Sequence, residues 1–155
     1  MKHVVWVAML AGTLATTGAF TLESTATANH APRLQADVPS GEAALGSVRI
    51  GRRVMADGKP LAAGTYEVRL TAQAAQPAAA GADAALERWA EFLQGGEVKG
   101  REVVTIVPKD EVKAVAKTDP PAPGTSRVEL LKGDEYLRVW INRSGVSYLI
   151  HLPVA

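Results

Sequence analysis

The stretch SRVELLKGDEYLRVWINRSGVSYLIHL, residues 126–152, decides the fold predicted for this chain. It divides into three alternating segments, residues 126–132, 135–142 and 146–152, with Gly133-Asp134 and Ser144-Gly145 between them. Two-residue loops of this composition join antiparallel strands in tight hairpins. The stretch therefore predicts a three-stranded antiparallel meander.

Tight turns at both positions also determine which residues face each other across the strands. The apolar pairs all fall on one face: Val128–Val139, Leu130–Leu137, Val139–Ile150, Ile141–Tyr148 and Leu137–Leu152. On the other face Glu129 meets Arg138, and Lys132 meets Glu135. Each such opposite-charge pair contributes about 0.2–1 kcal/mol. A slip of one residue would move the apolar set into water, so this register predicts one buried face.

Earlier parts of the chain add further strands. In residues 65–71, Tyr66, Val68 and Leu70 alternate with polar side chains, as in a half-buried strand. Asp57-Gly58 is a turn dipeptide. The whole chain then holds about seven strands, and a second sheet is the economical cover for an apolar sheet face. The predicted fold class is all-β, an antiparallel sandwich of about seven strands.

Residues 83–94 are open to two interpretations. Leu86, Trp89, Ala90 and Leu93 have the spacing of a helix stripe, which Asp83 would cap and Gly95 would end. Against this, Gly95-Gly96 is a hairpin signal followed by a β-branched run in residues 98–107. We favour a hairpin with a strand over residues 88–94, although local propensity favours a helix. Residues 109–116 predict a short helical turn.

The beginning of the chain has the pattern of a secretory signal. Lys2 and His3 are followed by a nearly uncharged apolar stretch, and Ala26-Thr27-Ala28 is the small-x-small pattern before a cleavage site. The apolar stretch is interrupted by glycine and threonine and is shorter than the ~20 residues of a membrane span. We therefore predict a signal peptide over residues 1–28, a flexible lead-in over 29–45 and a β-sandwich domain over 46–155.

Composition limits the partners and the chemistry. The formal net charge is +1, which argues against nucleic acid or an anionic membrane as the main partner. The chain has no cysteine and its two histidines after residue 28, His30 and His151, are far apart, so no metal and no cofactor is predicted. No phosphate-binding loop or nucleophile motif is present in the sequence. No catalytic residue is assigned.

One constellation is a candidate ligand-binding face. In the predicted register Arg127, Tyr136, Arg138, Trp140 and His151 share the polar side of the meander, with Trp140 between Arg127 and Leu149. An aromatic ring flanked by guanidinium groups can stack on a sugar or on a partner's side chain. The alternative is that Arg127 covers Trp140 through a cation–π contact and that the face is simply solvated or is covered by the other sheet.

Residues 57–68, DGKPLAAGTYEV, resemble a hairpin of bacterial exported β-sandwich modules such as immunoglobulin-like and carboxypeptidase-regulatory-like domains. The chain also resembles uncharacterised bacterial secreted proteins with W-x-E-F-x-x-G-G and Y-x-R-V-W-I-N segments, here residues 89–96 and 136–142. The resemblance implies a periplasmic or secreted setting and a strand at residues 88–94. It assigns no activity and no functional residue.

The sequence thus predicts an exported, non-catalytic module with a structural or protein-interaction role. The alternative is a glycan- or peptide-binding module that uses the Trp140 face, and an enzyme with a scattered site is more remote. The expected partner is another exported protein or a cell-envelope glycan, with no nucleic acid and no membrane span after signal cleavage. If Trp140 lies under a second sheet, the binding hypothesis fails.

Overall fold

The computed structural model describes residues 38–76, 86–116, 118–131 and 133–155. These residues form strands and one short helix: β1 (Ala43–Ile50), β2 (Val54–Ala56), β3 (Lys59–Leu61), β4 (Gly64–Ala74), β5 (Glu87–Gln94), β6 (Glu97–Val107), α1 (Val112–Ala116), β7 (Ser126–Leu130), β8 (Tyr136–Arg143) and β9 (Val146–Pro153). The predicted signal peptide, and the part of the lead-in before Val38, lie outside the described residues. Within the described ranges, no helix has the length and apolar character needed to cross a bilayer.

Seven strands form one antiparallel sheet in the order β1-β4-β5-β6-β9-β8-β7. Two meanders, β4-β5-β6 and β7-β8-β9, are joined along β6 and β9, where Val104 pairs with Ile150. The sheet is nearly closed into a barrel, so that the Ser126 hydroxyl donates to the Ser47 carbonyl at 3.1 Å between its two outermost strands. The all-β prediction is confirmed.

The predicted two-sheet sandwich is not shown, because the apolar face is enclosed in a different way. One sheet curls around its own apolar side, and the β2–β3 ribbon packs against β6 and β9. The main core consists of inward side chains such as Tyr66, Phe92, Val139 and Ile150, all at most 3% exposed. The curl of the sheet buries the apolar face that a second sheet was expected to bury. Either arrangement removes that face from water.

The C-terminal meander has the predicted register. All five apolar pairs are present, and Glu129 pairs with Arg138. Ser144 and Gly145 both have positive φ, as a type I′ hairpin turn requires. The predicted pair of Lys132 with Glu135 lies outside the described side chains, because Lys132 is not among the described residues.

Residues 87–94 are a strand, which confirms the hairpin interpretation. Gly95 and Gly96 have positive φ, and Gln94 pairs with Glu97 across them. Period-two alternation points Arg88, Ala90 and Phe92 inward, and all three are buried. Tertiary burial of this row therefore overrides the local helix propensity.

The start of the domain differs from the prediction. β1 begins at Ala43, so three residues of the predicted lead-in belong to the sheet. The segment before it is held by Arg88, whose buried guanidinium donates to the carbonyls of Pro39, Gly41 and Thr71. This long-range contact leaves no local pattern in the sequence, so the sequence contains no signal that places the start of β1 before residue 46.

Candidate functional site

The structure brings the five predicted site residues onto the outer face of β7, β8 and β9. Trp140 pairs with Arg127 and Leu149, and Arg138 pairs with Glu129 and His151. Their exposure differs sharply. Tyr136 is 44% exposed, whereas Trp140 is fully buried at 0%. The geometry thus places the residues together but does not present the indole ring to solvent.

Two guanidinium groups lie over the Trp140 ring. The Arg127 carbon Cζ is 4.9 Å from the ring centroid, and that of Arg138 is 5.2 Å away. Arg138 also donates to Glu129 at 2.5 Å and 2.8 Å. Arg127 therefore covers Trp140 by a cation–π contact, as the alternative interpretation predicted.

Residues 108–125, which we call the strap, cover the rest of this face. Val112 of α1 packs in a small apolar cluster with Val107, Trp140 and Leu149, separate from the main core. Further along the strap, the carbonyl of Asp119 accepts from Arg127 at 3.0 Å and that of Pro121 accepts from Asn142 at 2.8 Å. The strap is thus held by one apolar anchor and by hydrogen bonds to the sheet.

Several polar atoms beneath the strap are buried without a hydrogen-bond partner among the described residues. They are Arg127 Nε, Trp140 Nε1, Asn142 Oδ1 and Ser147 Oγ. Asn142 and Ser147 face each other across β8 and β9. Such buried polar groups cost free energy when they are left unpaired. While the strap is in place, Trp140 cannot stack on a ligand.

His151 lies at the edge of this face, opposite Arg138. Partial burial lowers the pKa of His151, and the neighbouring Arg138 guanidinium lowers it further. The imidazole is therefore neutral near physiological pH. In the part of the chain that the structure describes, no three His, Cys, Asp or Glu side chains are grouped to hold a metal ion.

A second candidate site lies between β1 and β7, the outermost strands of the sheet. Ser126 bonds to Ser47 at one end of this junction, and Arg143 Nε donates to the Leu45 carbonyl at 2.8 Å. The other end opens into a cavity of about 330 Å³, which we call the seam groove. Its lining residues are Arg49, Gly51, Arg52, Val128, Leu130 and Leu137.

The seam groove has one apolar wall and one cationic wall. Val128 and Leu130 of β7 are partly buried and pack against the main core. Arg49 and Arg52 are exposed, and within the described residues neither forms an ion pair. Sequence reasoning missed this site, because the proximity of β1 and β7 depends on the curl of the whole sheet. The three arginines Arg49, Arg52 and Arg53 were the available signal.

Comparison with protein-family models, curated proteins and solved structures found no match to this chain. The resemblance to secreted bacterial β-sandwich modules stays a prediction.

Proposed function

We propose that this chain is an exported, non-catalytic module that binds another protein through the seam groove. The observation that carries the proposal is the junction of β1 and β7, which is closed by side-chain bonds at Ser126 and opens beside Leu130. Strand edges that lack a neighbour present unpaired N–H and C=O groups, and natural proteins normally cover them. An uncovered edge beside an apolar wall is therefore a site for association.

The export part of the proposal rests on the sequence. The positive start, the interrupted apolar stretch and Ala26-Thr27-Ala28 have the order of a cleavable secretory signal. A chain without cysteine needs no oxidising compartment to fold, and it is equally compatible with one. We infer a periplasmic or secreted location for the module.

The alternative is a glycan- or peptide-binding role for the face of Tyr136, Arg138 and Trp140. In that role the indole would stack on the ligand, so the strap would have to leave Trp140. The open end of the seam groove, beside Leu130, is reached without moving the strap, and we therefore prefer it as the site.

Site-specific photo-crosslinking tests the proposal in a bacterial host that produces the full chain. A photo-reactive residue replaces Leu130 in the groove or, as a control, Val115 on the strap, which is 51% exposed. We expect a protein adduct from position 130 and none from position 115, on a chain recovered outside the cytoplasm with Asn29 as its first residue.

Equal adducts from both positions would show non-specific contact and would contradict the proposal. An adduct within the chain itself, mapped by mass analysis to residues 29–37, would assign the groove to the chain's own preceding segment. Recovery of the chain in the cytoplasm with Met1 intact would overturn the export part alone.

A further inference from the structure

We propose that the seam groove takes an extended, acidic segment of the partner protein, which joins the sheet as an additional strand between β1 and β7. This inference rests on the proposed function and specifies the chemistry of the partner. Four features of the structure support it: strand direction, backbone orientation, the division of side chains between faces, and charge.

Strand direction suits one more strand at the open end of the seam. Near Ser126, where β1 and β7 are already in contact, the two strands would have to separate to admit it. Neighbours in the sheet are antiparallel, so its seven strands alternate in direction and the two outermost, β1 and β7, run the same way. An odd number of strands cannot close into an all-antiparallel barrel. A strand inserted in the opposite direction would be antiparallel to both neighbours, which is the more stable pairing.

The backbone of β7 presents free groups at the seam. Gly124, with positive φ, and Thr125 lie together opposite Asn142, where the Gly124 N–H donates to the Asn142 carbonyl and the Asn142 N–H donates to the Thr125 carbonyl. This is the pattern of a G1 bulge. At the other end the Leu131 N–H donates to the Tyr136 carbonyl.

The backbone N–H and C=O groups of successive residues in a strand point to opposite sides. The odd-numbered residues from Thr125 to Leu131 therefore bond to β8. The N–H and C=O groups of Val128 and Leu130 therefore point toward β1. On β1 the carbonyls of Leu45 and Ser47 face the seam, as their side-chain donors show. The same alternation directs the backbone of Arg49 into the groove, so an extended chain would find partners on both sides.

On both sides of the seam, apolar side chains point toward the core and charged side chains point outward. Val128 and Leu130 point toward the core, as does Ile50 of β1, which is 1% exposed. Arg49 and Glu129 lie on the opposite, outward face. A strand between them would therefore carry apolar residues inward and polar residues outward, in alternation.

The positive charge beside the groove indicates which polar residues the bound segment carries. Arg49 and Arg52 border the groove without an ion pair among the described residues. Glu129, the carboxylate on the same outward face, is already held by Arg138 at 2.5 Å. The seam therefore offers unneutralised guanidinium groups, which bind carboxylates in bidentate geometry. The segment that fits alternates apolar and acidic residues.

Peptide binding tests this inference with the chain of residues 29–155. The probe is a capped peptide that alternates valine and glutamate, and its affinity is measured by fluorescence anisotropy. One control peptide replaces glutamate by lysine. A second control is N-methylated on alternate residues, which removes the N–H groups that a strand ladder needs. We expect binding of the first peptide only, and weaker binding as salt is raised.

Two pairs of variants locate the site. The double change Arg49→Gln and Arg52→Gln is expected to weaken binding about tenfold, because it removes both guanidinium partners of the peptide carboxylates. Lys113→Gln, on the strap, removes an exposed charge that does not line the groove and is expected to leave binding unchanged. Val128→Pro removes an N–H that faces the seam and is expected to weaken binding about tenfold relative to Val128→Ala, which keeps it.

Equal affinity for the glutamate and lysine peptides, or for Val128→Pro and Val128→Ala, would overturn the inference. Sedimentation of the chain alone tests whether a second copy of the chain occupies the seam. A dimer that Val128→Pro dissociates would assign the seam to that second copy. A specific photo-adduct at position 130 together with no binding of the acidic peptide would leave the interaction role standing and refute only the acidic strand. Near-ultraviolet circular dichroism of each variant confirms that it is folded.

Discussion

Gly100 lies in β6 where the β2–β3 ribbon comes closest to the sheet. A Cβ added there would be 3.1 Å from the Ala56 Cβ and 3.3 Å from Leu61 Cδ1. Both neighbours belong to the short ribbon that covers part of the core. Glycine at this position thus permits a close approach that any other residue would push apart.

We expect Gly100→Ala to lower the free energy of unfolding by about 1 kcal/mol, because an overlap cost of about 1–3 kcal/mol exceeds the ~0.4–1 kcal/mol gained from a stiffer unfolded chain. Urea unfolding measures the loss. Gly51→Ala is the matched control, since its added Cβ meets nothing within 4 Å and its expected change is neutral or slightly stabilising. Adding Ala56→Gly to Gly100→Ala is expected to recover part of the loss, and additive losses would refute the proposed contact.

His151 makes stability depend on pH near neutrality. Its folded pKa lies below its ordinary value of 6.5, so the unfolded chain takes up a proton first as pH falls. Between the two pKa values the unfolded state binds more protons, and the free energy of unfolding therefore falls as pH falls through this window. Below the folded pKa both states are protonated and this loss stops.

We expect His151→Gln to lose less stability than the wild type between about pH 8 and pH 5, as measured by urea midpoints at a series of pH values. Parallel curves for the wild type and His151→Gln would show that the imidazole is equally easy to protonate in both states.

At the scale of elements, the strap decides whether Trp140 is accessible. Val112 contacts the Trp140 cluster, whereas Val115, on the same short helix, is 51% exposed. In a Trp89→Phe background, Val112→Asp is expected to lower the free energy of unfolding by about 1–3 kcal/mol. The same change should shift Trp140 emission to longer wavelength and raise its quenching by acrylamide.

The matched variant, Val115→Asp, is expected to leave emission and stability unchanged, because its side chain already faces water. If Val112→Asp left the Trp140 spectrum unaltered, α1 would not be what shields the indole ring. These measurements use Trp140 as the remaining tryptophan of the domain, since Trp6 lies in the predicted signal peptide.

The elements that the sequence predicted correctly were those specified by nearby residues, through turn dipeptides and alternation of apolar and polar side chains. Two tight turns specified the register of β7, β8 and β9, and the pairing of Val139 with Ile150 followed from counting residues. The strap could not be predicted in the same way. The prolines at 120, 121 and 123 exclude regular structure after α1, but nothing in residues 118–125 indicates which sheet face they cover. The burial of Trp140 therefore had to come from the structure.

At the scale of the whole molecule, sequence patterns identified an apolar face but not how it is covered. Alternation along Tyr66, Val68 and Leu70 is the same in a sandwich and in a curled sheet. The decision depends on contacts between distant strands, such as Ser47 with Ser126, which are separated by 79 positions. The seam groove is a product of that closure, so no single segment of sequence encodes it.

The union of the two meanders along β6 and β9 has a consequence for the order of folding. Within each meander the longest connection between strands is residues 75–86, whereas Val104 and Ile150 are 46 positions apart in the chain and meet only after a much longer loop has closed. Contacts of such sequence separation slow the search for the native state, because chain entropy is lost before they form. Late docking of the two meanders would keep the chain unfolded for longer, which would suit translocation across a membrane in the export that we propose.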